Sequence, residues 1–392
     1  MSIKRALALE PLDNRYPALH GLRVLAIISV VQFHVTWIFA REQGITMDPG
    51  FANGSLTIFF GMDLFFILSG FLIGSILIRS LETDGTQNLR RFYLRRISRT
   101  FPSYYVVLTL LATTLPLTVM QKKHLVWEYV YATNFMSLLR EHIIMFWGWS
   151  LALEEQFYLT VPLLFIALYR MKSDRSRVLF LTALWSLALV IRIALYYAKR
   201  PWTDLALYEA LYFRPHTRFD TLVCGVLLAF VHRQYGKRIE AWLETPRHRA
   251  LLSLVSLSCL WILLKPHLFG LEHVQLVHVF AWGSITSVMY MGWLLLLLHG
   301  DPRGESAFLR FLSHPAFRRI ATLGYGVYLV HIPVLDYLVV PVAHRLQRAE
   351  VPMVVVWPAA LTSVMLLSLA IGYVMHIVIE KPSLWVREKI AG

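Results

Sequence analysis

VWPAALTSVMLLSLAIGYVMHIVI, which covers residues 356–379, decides the class of fold because it contains no Lys, Arg, Asp or Glu side chain. An α-helix rises about 1.5 Å per residue, so roughly twenty apolar residues cross the hydrocarbon core of a bilayer. Several other segments of similar length and composition occur along the chain. The pattern therefore predicts a polytopic helical membrane protein.

The composition of the whole chain supports the same class. Of its 392 residues, 57% are hydrophobic and 16% charged, whereas an average soluble domain is about 25% charged. This balance argues against intrinsic disorder and against an ordinary soluble enzyme. The two cysteines, Cys224 and Cys259, both lie in apolar stretches, so neither a disulfide framework nor a metal site is expected.

One all-α domain with about ten membrane spans is expected to fill residues 1–392. The first span is long enough to stay in the bilayer, so no cleavable signal peptide is expected. The sixth and seventh spans are shorter than the others. The predicted spans are residues 20–40, 57–78, 101–120, 150–169, 178–198, 219–232, 250–264, 276–298, 320–341 and 356–379.

The basic residues predict how the spans are oriented. With the N-terminus inside, the cytoplasmic segments hold 25 Lys and Arg residues and the outer loops hold 11. This excess favours a cytoplasmic N-terminus and a cytoplasmic C-terminus. The formal net charge of +14 is thus explained mostly by topology, and no nucleic-acid partner is expected.

Ionisable side chains at membrane depth are candidate site residues, because burying them is costly. Arg23 and His34 share one face of the first span, with Arg23 near its cytoplasmic end. Ser150, Glu154 and Tyr158 form one polar stripe on the fourth span, with Glu154 at a depth similar to His34. A carboxylate facing a histidine orients the imidazole as a general base. For Arg23 and His34, the alternative is a snorkelling arginine and a histidine bonded to a neighbouring helix. For the histidine and carboxylate, the alternative is a structural salt bridge between helices.

The cytoplasmic loop 79–100 is a second candidate region. Arg96 and Arg99 lie one helical turn apart just before the third span, and a pair of guanidinium groups can bind phosphates. The positive-inside rule or contact with anionic lipid explains the same residues more simply. From the residues alone, an enzyme and a proton-coupled transporter with His34 and Glu154 as a proton relay fit about equally.

Seven short motifs follow one another along residues 16–387. They are GLR (21–23) followed by His34, DLFFILSGFLI (63–73), FYLRRISR (92–99), WSLALEEQFY (149–158), RFD (218–220) before Gly225, YLVH (328–331) and EKP (380–382). In this order they resemble the acyltransferase-3 family of integral membrane proteins, which O-acylate surface carbohydrates and some secondary metabolites. The chain departs from the family at His20, where Asp is common, and at Val24, where Gly is common.

The resemblance implies transfer of an acyl group, acetyl in the first place, from cytoplasmic acyl-CoA to a hydroxyl of a cell-surface glycan, glycolipid or related acceptor. His34 would act as general base or acyl carrier, oriented by Glu154. Arg23, Arg96 and Arg99 would bind the phosphates of acyl-CoA. Substrate-binding or supporting roles are expected for Asp63, Ser69, Trp149, Ser150, Tyr158, Arg218, Asp220, Tyr328 and His331.

The expected partners are the acyl-CoA donor substrate, the carbohydrate or glycolipid acceptor and membrane lipids. No bound cofactor and no metal are expected. By the habit of the family, the location would be the bacterial cytoplasmic membrane. Two alternatives remain beside this interpretation: the proton-coupled transporter, and acylation of a secondary metabolite in place of a surface glycan.

Overall fold

The computed structural model describes residues 9, 12–84, 89–198, 202–269, 281–301 and 306–391. Within these ranges the chain is helical almost throughout and contains no β-strand. The predicted all-α class is confirmed. The physical reason is that lipid tails offer no hydrogen-bond partners, so the backbone N–H and C=O groups must pair with each other, as they do in a helix.

The helices of the described ranges are labelled here in chain order. They are α1 (Pro17–Trp37), α2 (Pro49–Leu56), α3 (Gly61–Asp84), α4 (Leu89–Thr114), α5 (Val119–Tyr129), α6 (Trp149–Arg170), α7 (Asp174–Ala198), α8 (Asp204–Leu211), α9 (Pro215–Arg218), α10 (Asp220–Leu243), α11 (Pro246–Phe269), α12 (Thr286–His299), α13 (Ala307–Leu312), α14 (Pro315–Val334), α15 (Val340–Arg348), α16 (Met353–Met375) and α17 (Lys381–Ala391).

Seven helical segments among the described residues are long and apolar enough to cross a bilayer. They are Pro17–Glu42, Pro49–Glu82, Phe146–Arg170, Asp174–Ala198, Pro246–Leu264, Pro315–Arg348 and Met353–Ile390. The other predicted spans fall on α4, on α10 and on the shorter apolar segment Gly283–His299. Residues 276–280 of the predicted eighth span lie outside the described residues. The number of about ten crossings and the cytoplasmic termini stay predictions.

The predicted sixth and seventh spans are parts of longer helices. α10 and α11 each contain 24 residues, whereas the predicted spans were residues 219–232 and 250–264. The apolar run of α10 ends near His232, but the helix continues through charged residues to Leu243. Hydropathy marks where a helix stops being apolar, and the helix itself ends later.

The chain forms two compact units, each built from separated stretches. The first unit consists of Met1–Met62, Arg90–Thr114 and Ala307–Gly392, and the second consists of Asp63–Leu89 and Leu115–Ser306. α1, α2, nearly all of α4 and α13–α17 belong to the first unit. Most of α3 and α5–α12 belong to the second. The single domain over residues 1–392 stays a prediction.

In the first unit, α14 packs between α1 and α16. α14 and α16 cross where Gly326 faces Gly372. A Cβ atom on Gly326 would lie 3.0 Å from the Cα atom of Gly372, so the two backbones touch there. Small residues at a crossing allow membrane helices to approach closely. The packing of α14 against α1 sets the position of the histidine that each helix carries.

In the second unit, α3 and α10 cross at Gly70 and Gly225. A Cβ atom on Gly70 would overlap the carbonyl oxygen of Leu222, and a Cβ atom on Gly225 would overlap that of Ile67. The contact is therefore backbone to backbone. It places the start of α3, with Asp63, beside the start of α10.

Helices in both units contain single π-helical turns, which are rare and frequent near functional sites. In the described part of the chain these turns are Ile38–Glu42, Ala281–Ile285, Leu335–Val339 and His376–Glu380. The first begins four residues after His34, and the third follows Pro333. Pro333 has no N–H group and therefore removes a helical hydrogen bond. A widened turn next to such a defect lets the helix continue.

Candidate functional site

His34 and His331 are in contact within the first unit. His34 is half-buried on α1, and His331 is fully buried on α14. The Nδ1 atom of His34 lies 3.0 Å from the Nε2 atom of His331. The Nδ1 atom of His331 lies 2.7 Å from the carbonyl oxygen of Tyr328, on the same helix. The three residues thus form one chain of hydrogen bonds, and their predicted roles stay predictions.

The carbonyl of Tyr328 determines which ring nitrogens carry hydrogen. A carbonyl oxygen only accepts hydrogen bonds, so Nδ1 of His331 is the donor. With both rings neutral, Nε2 of His331 is then an acceptor, and Nδ1 of His34 donates to it. This assignment puts the lone pair of His34 on Nε2, the nitrogen able to take up a proton or attack a carbonyl carbon.

Arg23 and Glu154, the predicted companions of His34, lie in different units. Arg23 is half-buried on α1, and α1 is helical without interruption from Arg23 to His34. Glu154 is half-buried on α6 in the second unit. Its pairing with His34 stays a prediction.

Two residues of the predicted supporting set, Ser69 and Tyr158, form a hydrogen bond in the second unit. The hydroxyl oxygens of Ser69 on α3 and Tyr158 on α6 lie 2.7 Å apart. Ser150, one member of the predicted polar stripe, is buried and donates to the carbonyl of Trp147 at 3.4 Å. Ser150 and Tyr158, the two ends of the stripe, therefore both form hydrogen bonds within the protein.

Trp149 opens α6 inside an aromatic cluster. Its ring centroid lies 5.9 Å from that of Phe66, 5.3 Å from that of Tyr212 and 5.0 Å from that of Phe213. Trp149 is itself buried. This packing supports a structural role for Trp149, since aromatic rings at these separations attract one another.

Asp63 and Arg218 form a fully buried ion pair. The Nη1 atom of Arg218 lies 2.6 Å from the Oδ1 atom of Asp63, which also accepts a hydrogen bond from the Thr221 hydroxyl at 3.0 Å. The guanidinium lies over the ring of Tyr212, 4.5 Å from its centroid. A buried pair of this kind tolerates the loss of one partner poorly.

Asp220 takes part in a second fully buried ion pair, with Arg192 of α7. The Nη2 atom of Arg192 lies 2.8 Å from Asp220 Oδ2 and 2.7 Å from the Ser284 hydroxyl. Gly283 has a φ of +77°, and a Cβ atom there would overlap the Asp220 carboxylate. Arg192 falls within the predicted span at residues 178–198, and no role was predicted for it. An arginine in an apolar run was the signal for a buried carboxylate partner.

The basic residues of α4 cluster with Arg387 of α17. Burial lowers the pKa of Arg95, and the charges of Arg91, Arg387 and Arg96 lower it further. The Nη2 atom of Arg90 donates a hydrogen bond of 3.4 Å to the carbonyl oxygen of Ile390. This bond also connects α4 with α17. Arg387 was missed, because a basic residue in a C-terminal helix has no distinguishing pattern.

The predicted phosphate ligands Arg96 and Arg99 lie on α4 in the first unit, which also holds Arg23. Both are partly buried in the helical turns before the apolar part of α4. Their predicted role in binding acyl-CoA stays a prediction.

Two further histidine–carboxylate contacts were missed by sequence reasoning. In the first unit, His376 Nδ1 lies 2.7 Å from Glu380 Oε2 in the last π-turn. In the second unit, Glu240 Oε1 lies 3.1 Å from His299 Nδ1, and His299 Nε2 lies 2.9 Å from His232 Nδ1. Glu380 opens the EKP motif, which was the available signal for the first contact. Within the described ranges, no three His, Cys, Asp or Glu residues are grouped as metal ligands would be.

The loop before α6 is held by two buried polar residues. Glu128 accepts hydrogen bonds from the backbone N–H groups of Ile144 at 2.9 Å and Met145 at 2.8 Å. Burial raises the pKa of Glu128, and these two hydrogen bonds oppose the shift. Asn134 and Gln156 exchange two amide hydrogen bonds of 3.0 Å, which fix the loop to α6.

The fold and the site together define a polytopic helical membrane protein with a histidine pair in one unit and two buried ion pairs in the other. Residues 16–375 match the family model described as an acyltransferase domain. Because the match covers nearly the whole chain, the chain belongs to the acyltransferase-3 family, and the predicted resemblance is confirmed.

The curated relatives carry names of the same kind. O-acetyltransferase OatA of Staphylococcus aureus strain NCTC 8325 is 26% identical over 345 residues, which cover 82% of this chain and 51% of that protein. A protein of strain COL, named as a candidate O-acetyltransferase, is 24% identical over 343 residues with the same coverage. This chain thus spans about half the length of the curated relatives it matches. No solved structure matches it.

Proposed function

We propose that the chain is a membrane O-acyltransferase that moves an acyl group from cytoplasmic acyl-CoA to an acceptor hydroxyl. Acetyl is the acyl group that we propose. The acceptor is a cell-surface glycan, glycolipid or related molecule, and the location is the bacterial cytoplasmic membrane. Membership in an acyltransferase family favours this function over a proton-coupled transporter. The names of both relatives contain the word O-acetyltransferase, which supports oxygen as the acylated atom.

The contact between His34 and His331 is the observation that carries the proposal. It holds His34 in the tautomer with a basic Nε2 atom. A general base must present a lone pair to the proton it removes. When His34 takes up that proton, its Nδ1–H group still donates to His331, so the imidazolium keeps its hydrogen bond.

The reaction needs one proton to move twice. Nε2 of His34 removes the proton from the acceptor hydroxyl while the oxygen attacks the thioester carbonyl carbon. The carbon–sulfur bond then breaks, and the CoA thiolate takes the proton from His34. In the rival route, His34 attacks the thioester itself and carries the acyl group before the acceptor removes it. Glu154 is proposed to assist His34, as the sequence predicts.

The donor is proposed to bind at the basic side chains of the first unit. Arg23, Arg96 and Arg99 would contact phosphate groups, because guanidinium groups bind them bidentately. The cluster of Arg91, Arg95 and Arg387 adds positive charge for a polyanionic donor. The predicted topology puts this cluster on the cytoplasmic side, where acyl-CoA is found.

The test uses the purified chain in lipid nanodiscs with acetyl-CoA labelled in the acetyl group. Wild type should bind the donor saturably and lose the thioester slowly. His34→Ala should bind the donor but lose the thioester about 10²- to 10⁴-fold more slowly than wild type, the range that a general base contributes. His344→Ala, a histidine on α15, serves as the matched control and should behave like wild type.

Either of two results would reject the proposed role of His34. Equal rates of thioester loss in His34→Ala and wild type would remove His34 from the chemistry. Absence of donor binding by well-folded wild type would remove acyl-CoA as the donor. Acetyl trapped on His34 after quenching would select the acyl-histidine route over direct transfer.

A further inference from the structure

A cavity of about 280 Å³ opens in the second unit between the end of α7 and α8. Its polar and aromatic lining consists of Trp202, Glu209, Arg214 and His216, and Leu195, Ala206 and Ala210 supply apolar surface. The volume lies just below that of typical small-molecule sites, about 300–1,000 Å³, and suits one ring. None of these residues belongs to the motifs that suggest the acyl-transfer site.

The two carboxylate oxygens of Glu209 differ in their hydrogen bonds. Its Oε1 atom accepts hydrogen bonds from the Ser137 hydroxyl at 2.6 Å and from the N–H group of Leu138 at 3.2 Å. These contacts fix the side chain. Among the described residues no hydrogen bond reaches Oε2, so a ligand hydroxyl could donate to it.

Arg214 is held in the same manner. Its Nη1 atom donates to the carbonyl of Asn134 at 3.2 Å. Burial lowers the pKa of Arg214, and the nearby charge of Glu209 opposes the shift. Within the described ranges, however, Arg214 and Glu209 form no ion pair with each other. Two opposite charges therefore line one cavity with donors and an acceptor still available.

Trp202 completes the wall with an immobilised ring. Its Nε1 atom donates to the carbonyl of Tyr196 at 2.9 Å, so the indole carries a satisfied polar group and an apolar body. An aromatic ring, a carboxylate and a guanidinium are groups to which a sugar ring can bind. Its C–H groups pack on the aromatic side chain, and its hydroxyls bridge the acceptor and the donor.

We infer that this cavity binds one neutral sugar ring of the acceptor. Glu209 and Arg214 offset each other's charge, so the wall favours an uncharged polyol over an anion or a cation. In the predicted topology, residues 199–218 form an outer loop, the side from which a surface glycan would approach. Arg214 is also connected to α6 through Asn134, which pairs with Gln156. The inference rests on the proposed function, since it names where the acceptor is held.

The test measures sugar binding by the full chain in nanodiscs with saturation-transfer NMR. The probes are the methyl α-glycosides of glucose, galactose and mannose, each compared with glucuronate and glucosamine as charged analogues. At least one neutral glycoside should bind wild type saturably, with a Kd in the millimolar range. Such a Kd is expected for one small ring held by a few polar contacts. Both charged analogues should bind more weakly.

Three variants locate the binding. Ala206→Trp fills the cavity and should abolish the signal. Glu209→Gln removes the charge on Oε2 and should weaken binding about tenfold, as loss of a charge-assisted hydrogen bond does. Glu141→Gln, an exposed carboxylate on another predicted outer loop, is the matched control and should bind like wild type.

Thioester loss from acetyl-CoA, measured on the same wild-type sample without sugar, separates the two proposals. Normal thioester loss with no saturable binding of any neutral glycoside would overturn the cavity assignment and leave the proposed function standing. Equal binding by Ala206→Trp, or tighter binding of a charged analogue, would also overturn it. Sugar binding without His34-dependent thioester loss would instead count against the proposed function.

Discussion

The imidazole of His34 lies 3.0 Å, Nδ1 to Nε2, from the imidazole of His331, which is 297 residues away along the chain. The contact joins α1 and α14 within one unit and gives His34 a hydrogen-bond acceptor on its Nδ1 side. His331 is itself oriented by the carbonyl of Tyr328. His331 is thus proposed as a positioning residue that acts through His34.

Replacing His331 should impair chemistry more than donor binding. His331→Ala should lower the rate of thioester loss about 10- to 100-fold and leave the KM for acetyl-CoA nearly unchanged, because the tautomer of His34 is no longer fixed. His331→Gln keeps an acceptor for His34 and should recover part of the rate. The measurement is the rate against pH, since the apparent pKa of the base should move in His331→Ala. Superimposable pH profiles would contradict the positioning role.

The Asp63–Arg218 pair should contribute strongly to the stability of the second unit. Asp63→Ala leaves a buried guanidinium without its carboxylate and should cost about 3–5 kcal/mol. The exposed pair of Glu82 and Arg233, 2.7 Å apart, is the matched control, and Glu82→Ala should cost about 1 kcal/mol or less. Denaturation in detergent micelles measures both. Similar losses in the two variants would show that burial of the first pair matters little.

Arg387 should contribute to donor binding although it lies far from Arg96 and Arg99 in sequence. Arg387→Ala should raise the KM for acetyl-CoA several-fold with little change in kcat, as should Arg96→Ala, because both remove positive charge from one cluster. The effect should shrink at high salt, where exposed charges are screened. Arg238→Ala, an exposed arginine on α10, is the control. An unchanged KM in Arg387→Ala would limit the cluster to α4.

Glu128 should make the protein less stable as the pH rises. Burial raises the pKa of Glu128 above its ordinary value of 4.5, so the folded protein keeps the proton to a higher pH than the unfolded chain does. The stabilising contribution is complete below the unfolded pKa and declines as the pH rises through the folded pKa. The Tm of wild type minus the Tm of Glu128→Gln should therefore decrease as the pH rises above 4.5. Glu141→Gln should show no such trend, and a constant difference would contradict the assignment.

The helices were predictable because hydropathy reports on each segment separately. The apolar run at residues 356–379 alone predicts most of α16, and the predicted span at residues 178–198 falls within α7. Hydropathy failed at α10, where the helix continues into charged residues. Arg96 and Arg99 of α4 were visible for the same local reason, as two arginines one helical turn apart.

The contacts between helices were not predictable, because spacing along one helix does not show which helix it faces. Asp63 and Arg218 were both expected to have supporting roles, yet their pairing appears only in the fold. The pairing of His34 with Glu154 stays a prediction, and the contact between His34 Nδ1 and His331 Nε2 had no signal in the sequence. Arg387 and Glu209 had no local signal, since a single charge outside an apolar run is ordinary.

The hydrogen-bonded chain from His34 has one more consequence. On the far side of His331 its partner is the carbonyl of Tyr328, and an amide oxygen accepts a hydrogen bond without taking up the proton. This series of hydrogen bonds can therefore fix the orientation of the His34 imidazole, but it cannot carry a proton from His34 past the Tyr328 carbonyl. In the proposed reaction, the proton that His34 takes from the acceptor passes to the leaving thiolate, so each turnover would be electrically neutral and its rate should be insensitive to the membrane potential.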